Sequence, residues 1–437
     1  MGIFICDLNS DHGKNRPNMP LVEGGMKMRY VQNFHSMVKL VLVGIVLSLL
    51  TLATAACDEG EQLKIAFLAD FSGPLAEFGP EIQTGAELAI QHINDAGGVN
   101  GQDVVLVTGD TGLDETKAVE EARRLVDVEG VHAIVGPLAS GITAAVAESV
   151  TIAAEVVTIT PSGTSPALTG IDDNGYLLRS TISDAAQGVV LAQLAADEGI
   201  SSVGVLYENS AYGQGLAEVF ETNFSGTVKS AAYEDGQASY LAELQSVSGG
   251  EYLIAIGYPT QALIYVREAL ENGIYDKFLF VDGTKSQDLI DGIGSAIDGS
   301  KGTAPASDDS SAALAAWNAS YESAYGSLPT RPFVREAYDA VIAIALAASY
   351  ADSLEGADLS TALLEVGNPG GTMVMPGADS VAEGLEAASD GDDVNYEGAA
   401  TTLNWDAAGD VTSGFVGIWK YDGGEIVEIE SIPFSVD

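Results

Sequence analysis

Residues 63–101 read LKIAFLADFSGPLAEFGPEIQTGAELAIQHINDAGGVNG. The stretch opens on Leu63–Ala69, where only Lys64 is polar, as in a strand covered on both faces. Small turn residues follow. Ile82, Ala86, Ala89, Ile90 and Ile93 then recur at helical spacing until Gly97-Gly98 stops the helix. This is a strand, a turn at its carboxyl end and a helix, and the unit repeats along the chain.

The same logic predicts strands at DVVLVTG (103–109), VHAIVG (131–136) and VVTIT (156–160), with a helix carrying Ala118, Ala122, Leu125 and Val126 on one face and another over 141–154. After Asp184 a second series follows: SVGVLY (202–207), VKSAAY (228–233), YLIAIG (252–257) and FLFVDG (278–283), with helices near 184–198, 211–223, 238–247 and 260–272. Two series of apolar strands separated by single helices predict an α/β protein of two doubly wound parallel-sheet domains. In such sheets ligands bind outside the carboxyl ends of the strands. Residues 299–312 (GSKGTAPASDDSSA) are small and polar and suit a crossover; 335–352 form a strongly apolar helix. The Gly-, Asp- and Ala-rich segment 376–397 is expected to be a surface loop, and 402–437 β-structure with strands at TTLNW, FVGIWKY and EIVEIE. The expected division is 63–182 with 307–406 for the first domain and 183–303 with 409–437 for the second. The crossovers fall near 181–184, 301–307 and 406–410.

The 437 residues include 18 basic and 63 acidic side chains, for a net charge of −45. Such a chain repels phosphate backbones, so no nucleic acid is expected as a partner. Two cysteines and four histidines are too few for a zinc framework or a disulfide scaffold. Residues 1–57 form the leader. Lys27, Arg29, His35 and Lys39 precede the apolar run Leu40–Ala56, and Ala55-Ala56-Cys57 is followed at once by acidic residues, which together describe a secretory signal. Ala55-Ala56-Cys57 resembles the end of a bacterial lipobox, with Thr54 where Leu is usual; the resemblance implies lipidation at Cys57 and a membrane-tethered, extracytoplasmic protein. Translation is expected to begin at Met26 or Met28, which leaves Cys57 as the only thiol. Residues 1–56 hold five of the basic and three of the acidic side chains, so the remainder carries 13 against 60 and the acidity belongs to the folded part. An acid-coated surface hydrated in a salty exterior is the reading this suggests.

Signs of catalysis are missing from the sequence. It has no G-x-S-x-G elbow, P-loop or G-x-G-x-x-G. His92 and His132 fall in a helix and at a strand entrance, where structural roles are expected, and Asp390, Asp392 and Asp393 lack calcium-loop spacing. No enzyme activity, cofactor or metal is expected. What stands out are two strand-end loops rich in small hydroxylic residues: Gly136-Pro137-Leu138-Ala139-Ser140-Gly141 with Thr143, and Pro161-Ser162-Gly163-Thr164. Each offers backbone N–H groups and hydroxyls to an anion, and two of them on successive strands point to a bound carboxylate.

These segments resemble the type I periplasmic-binding-protein family, and most of all its leucine/isoleucine/valine-binding branch that serves ABC importers. The resemblance is carried by FSGPLAEFGPEIQTGAELAIQHINDAGGVNG (71–101), VGPLASGIT (135–143), TPSGTSPAL (160–168), YGQG (212–215), YPTQALIYVREA (258–269), FLFVDG (278–283), RPFVREAYDAV (331–341) and VNYEGAATTLNWDAAGDV (394–411). It implies that an amino acid's carboxylate is held by Ser140 and Thr164, with an amide of Ala139 or Thr164. It places the ammonium on the Ser162 carbonyl and on Asp282, and counts Gly163, beside Ser162, and Gly283, beside Asp282, among the ligand-binding residues. Phe78, Leu138, Tyr212, Tyr258 and Phe333 match positions that wall the cleft. Asp282 stands where that branch has Glu, and the family's common first-domain disulfide has no cysteines here. The implied protein has its two domains joined by a three-strand hinge and is a monomeric solute-binding lipoprotein that hands an amino acid to a membrane ABC permease. The same fold binding amides, urea or aromatic acids, or acting as a ligand sensor, is the alternative.

Overall fold

The computed structural model describes residues 61–367 and 369–435; the leader and Cys57 lie outside the described residues. The first series forms a five-stranded, all-parallel sheet from β1 (Lys64–Ala69), β2 (Val105–Asp110), β3 (Ala133–Val135), β4 (Val157–Thr160) and β5 (Leu177–Arg179), in the order β2-β1-β3-β4-β5. The order turns back on itself at β1 and β3, the switch point where doubly wound sheets open a crevice. Helix Phe78–Asp95 covers this sheet together with the almost wholly buried helix Val334–Ala351. They touch closely because residue 85 is glycine: a Cβ there would sit 1.9 Å from the Val334 carbonyl oxygen.

The second series supplies β6 (Ser202–Glu208), β7 (Thr227–Tyr233), β8 (Tyr252–Ile256), β9 (Phe278–Phe280) and β10 (Lys301–Ala306). A small parallel pair, β11 (Thr372–Val374) with β12 (Val394–Tyr396), belongs to neither large sheet. The tail adds β13 (Ser413–Asp422) and β14 (Glu425–Ser435), completing a seven-stranded sheet in the order β14-β13-β10-β9-β8-β6-β7. β13 and β14 run antiparallel, so this sheet is mixed at that edge. The chain passes between the two sheets three times, after β5, after β10 and before β13. The protein is thus two α/β domains joined by three connections.

The structure corrects four local expectations. The polar stretch 299–312 contains β10, a strand between β9 and β13. Segment 376–397 is not a loop: it holds helix Ala378–Ser389, whose Val381, Leu385 and Ala388 turn inward at helical spacing, and β12. TTLNW makes isolated bridges at Thr402 and Trp405 and forms no strand. The strand expected over 278–283 ends at Phe280, and Asp282–Thr284 form a single 3₁₀ turn.

Candidate functional site

β3 and β4 are neighbours in register, so their strand-end loops leave the sheet side by side. Hydroxyls tie the two together. Thr160 Oγ1 donates to the Pro137 carbonyl at 2.7 Å, Ser162 Oγ to the Leu138 carbonyl at 2.9 Å, and the Ser165 N–H donates to Ser140 Oγ at 3.2 Å. Ser140 therefore acts as an acceptor within the protein and keeps its own hydroxyl hydrogen for a ligand.

The second domain faces these loops with the Asp282 turn. Asp282 Oδ1 accepts from the Tyr212 hydroxyl and from Gln187 Nε2, both at 2.7 Å, and the Gly283 N–H donates to the Tyr212 oxygen at 3.2 Å. Glycine is required at 283 by close approach, since a Cβ would lie 2.4 Å from the Gly257 carbonyl oxygen and 3.0 Å from the Tyr212 oxygen. Tyr258 stacks on Tyr212 at 5.6 Å between centroids. The tail braces this turn from behind. Tyr421 OH donates to the Thr284 carbonyl, and Trp419 and Tyr421 pack on Phe280 at 6.4 and 5.2 Å.

Between the two walls lies a small cavity lined by Leu75, Phe78, Ile82, Leu138, Ser140, Ser162, Tyr212, Tyr258, Asp282, Gly283 and Phe333. Phe333 adopts φ +75°, ψ 2° ahead of helix Val334–Ala351, a left-handed conformation that is costly for an aromatic residue. The domains meet around the cavity. On one flank Ser165 Oγ donates to the Ala211 carbonyl at 2.7 Å. On another, Arg331 pairs with Glu77 at 2.8 Å and Glu81 at 3.6 Å in the first domain and reaches Asp288 of the second at 3.5 Å. Its guanidinium also lies 4.9 Å from the centre of the Phe78 ring.

Burial pushes the Asp282 carboxyl above the ordinary range, while the bonds from Tyr212 and Gln187 pull it back. Burial also drives the Tyr212 and Tyr258 phenols well up, so both stay neutral donors. A buried carboxylate on one wall and the Ser140 hydroxyl on the other, with apolar side chains between, suit a small zwitterion whose remainder is apolar.

Nine of the residues singled out in the sequence line this cavity: Phe78, Leu138, Ser140, Ser162, Tyr212, Tyr258, Asp282, Gly283 and Phe333. Three do not. Ala139 faces the adjoining hollow beside Ile142 and Glu208. The Gly163 N–H is held by Thr160 Oγ1 at 2.8 Å. The Thr164 hydroxyl, expected on the ligand, donates instead to Asp184 Oδ2 at 2.9 Å, because the chain returns past it into helix Asp184–Asp197. Leu75 and Ile82 were missed: Ile82 reads as one more residue of the core stripe. The rule that ligands sit at strand carboxyl ends could have drawn attention to Leu75, which follows β1. His92 bonds to the Tyr338 hydroxyl at 2.8 Å and His132 accepts the Lys64 N–H at 3.1 Å; neither lines the cavity.

The sequence model of the periplasmic binding protein family matches residues 62–410. Among curated proteins, the Leu/Ile/Val-binding protein homolog 3 of Brucella melitensis is 27% identical over 84% of this chain and 94% of its own length. The leucine-, isoleucine-, valine-, threonine- and alanine-binding protein of Pseudomonas aeruginosa is 30% identical over 65% of this chain and 77% of its own. Among solved structures, the branched-chain amino acid transporter substrate binding protein of Streptococcus pneumoniae, in complex with isoleucine, superposes with a TM-score of 0.72 at 24% identity. That match covers 86% of this chain and 100% of that one.

Proposed function

The chain belongs to the periplasmic binding protein family, and from that premise we propose that it captures an apolar α-amino acid outside the cytoplasm for an ABC importer. The observation that carries the reading is the cavity between the domains, with the Ser140 hydroxyl on the first wall, a buried carboxylate on the second and apolar side chains between. The names of its curated relatives support an amino acid of the leucine, isoleucine or valine type.

In this reading the ligand's carboxylate takes the Ser140 hydroxyl and backbone N–H groups of the Ala139 and Thr164 region. Its ammonium sits between the Ser162 carbonyl and Asp282, and its side chain lies against Leu75, Phe78, Ile82, Leu138 and Phe333. Tyr212 and Tyr258 close over it with the second domain. The moving bodies are 63–182 with 307–406 and 183–303 with 409–437, hinged at the three connections. Ligand contacts made only when both walls meet stabilise the closed state, which a membrane permease then recognises. A lipid on Cys57 would hold the protein at the membrane surface as a monomer. No bond in the ligand is made or broken.

The test is calorimetric titration of the protein, stripped of ligand by denaturation and refolding, with the twenty amino acids, urea, simple amides and benzoate. Binding of leucine, isoleucine or valine, lost in Asp282→Ala, is expected. Binding of benzoate or an amide in their place, or leucine affinity unchanged in Asp282→Ala, refutes the zwitterion reading.

A further inference from the structure

Behind the cavity wall lies a second carboxyl that ligand capture as described does not use. Asp184 begins helix Asp184–Asp197 and is fully buried; its Oδ2 accepts from Thr164, while its Oδ1 has no hydrogen-bond partner. Three residues on, along the same helix face, Gln187 is also fully buried. Its Nε2 donates to Asp282 Oδ1 at 2.7 Å and to the Thr303 carbonyl of β10 at 3.3 Å, and its Oε1 likewise has no partner. Asp184 and Asp282 thus flank Gln187 in one buried polar cluster, with Tyr212 completing the Asp282 end.

Among the described residues, no basic side chain hydrogen-bonds to this cluster. Arg179, the basic side chain that acts on Asp184, gives Nε to Asp410 at 2.5 Å and Nη1 to the carbonyls of Gly163, Thr164 and Ser165. Burial first, and then the charges of Glu208, Asp70, Asp282 and Asp184, push the neighbouring Tyr258 phenol up, so the surroundings add acids and no base. Two ionised carboxylates in so dry a place repel each other and lose hydration. Burial, and at Asp184 the Asp282 charge after it, accordingly pushes both carboxyls up. One proton would remove the excess charge and supply the donor that Asp184 Oδ1 and Gln187 Oε1, both acceptors, lack.

We propose that Asp184 and Asp282 form a carboxyl pair that shares one proton while the pocket is empty, and that an α-ammonium settling on Asp282 expels this proton to solvent. The ammonium keeps its own protons. The O–H bond that breaks belongs to the carboxyl pair, and its proton goes to the buffer. The pair carries one negative charge before capture, and pair plus ammonium carry one after it, so the charge at this end of the pocket is unchanged, the ligand's own carboxylate lying against the opposite wall. Asp184 is then a positioning residue acting through Gln187 and the charge balance. The inference rests on the amino-acid reading above.

The experiment is titration of L-leucine into the purified protein at steps from about pH 4.5 to about pH 8, each in two buffers of different ionisation enthalpy. Up to one proton released per leucine is expected over part of this range, where affinity rises by as much as about tenfold per pH unit. Asp184→Asn, which keeps the shape and removes the charge, should bind leucine with neither proton release nor this pH dependence. Identical enthalpies in both buffers at every pH overturn the inference on the wild-type protein alone. Release that persists in Asp184→Asn assigns the proton elsewhere, Glu208 first, and overturns it as well. So does an affinity that follows sodium against potassium, because a metal cation would then neutralise the pair. Absence of any heat with leucine, isoleucine and valine refutes instead the amino-acid reading on which the inference stands.

Discussion

Arg331→Gln tests how the closed cleft is held. The guanidinium bridges Glu77 and Glu81 on its own side and Asp288 on the other, with Ser286 Oγ at 3.5 Å, so only the last two contacts are lost when the domains part. A partly exposed ion pair of this kind contributes about 0.5–1 kcal/mol. Its removal also leaves Glu77 beside Asp288, a contact that already raises the Glu77 carboxyl, and the uncompensated like-charge pair costs a further ~0.5–1 kcal/mol at low salt. The sum of about 1–2 kcal/mol falls on the closed state alone and weakens ligand binding roughly 5- to 30-fold. In about 1 M salt the screening length drops to about 3 Å and the loss should shrink to within about threefold. Calorimetry with leucine at about 20 mM and about 1 M sodium chloride reads the affinity, and stopped-flow release should place the change in the off-rate. Adding Asp288→Asn to Arg331→Gln should recover part of the loss at low salt. An equal loss at both salt concentrations would refute the electrostatic account and assign the effect to packing on Phe78; wild-type affinity at low salt would refute the latch altogether.

Three further outcomes follow from the structure. Tyr212→Phe removes one of two side-chain donors to the buried Asp282 oxygen, and about 1.5–3 kcal/mol should be lost, a tenfold or greater drop in leucine affinity by calorimetry. Gly85→Ala drives a methyl group against the Val334 carbonyl and should lower stability by about 1–3 kcal/mol, read as a fall in the urea midpoint. Burial raises Glu336 to about 7 and Asp339 to about 6, so the native state holds protons that the unfolded chain releases near its ordinary carboxylate pKa. Stability should therefore fall as pH rises from about 4.5 to about 7, by up to about 1.4 kcal/mol per pH unit for each group, and then level off. Urea melts across this range should show the decline, and Glu336→Gln should flatten it; a midpoint that rises with pH there would contradict the assignment.

The parallel strands were legible because burial on both faces leaves a nearly unbroken apolar run, as in Ile65–Ala69 or Leu253–Ile256. β10 was not, because KGTAPA has no such run. Its small residues are set by a neighbour distant in sequence: a Cβ at Gly302 would sit 2.4 Å from the Trp419 ring. Helix Ala378–Ser389 was hidden by composition, since glycine and acidic residues around Val381, Leu385 and Ala388 outweighed a short inward stripe. In the site, strand-end position made one wall legible and family resemblance the other. The local sequence around Asp184 reads only as the start of a helix. Its capture of the Thr164 hydroxyl depends on how the first connection returns beneath the β4 loop, a relation between segments that no spacing in the sequence expresses.

The tail that braces the Asp282 turn also bears on the order in which the molecule can be assembled. β10 pairs with β13 across more than a hundred residues of intervening chain, and Trp419 and Tyr421 reach Phe280 and Thr284 only when the C-terminal hairpin is in place. Contacts so remote in sequence close slowly and late. While the chain is being made, the Asp282 turn lacks this backing, and the β10 edge lacks its β13 partner, until residues 413–422 have emerged. A polypeptide built this way has its Asp282 turn backed only once β13 is in place.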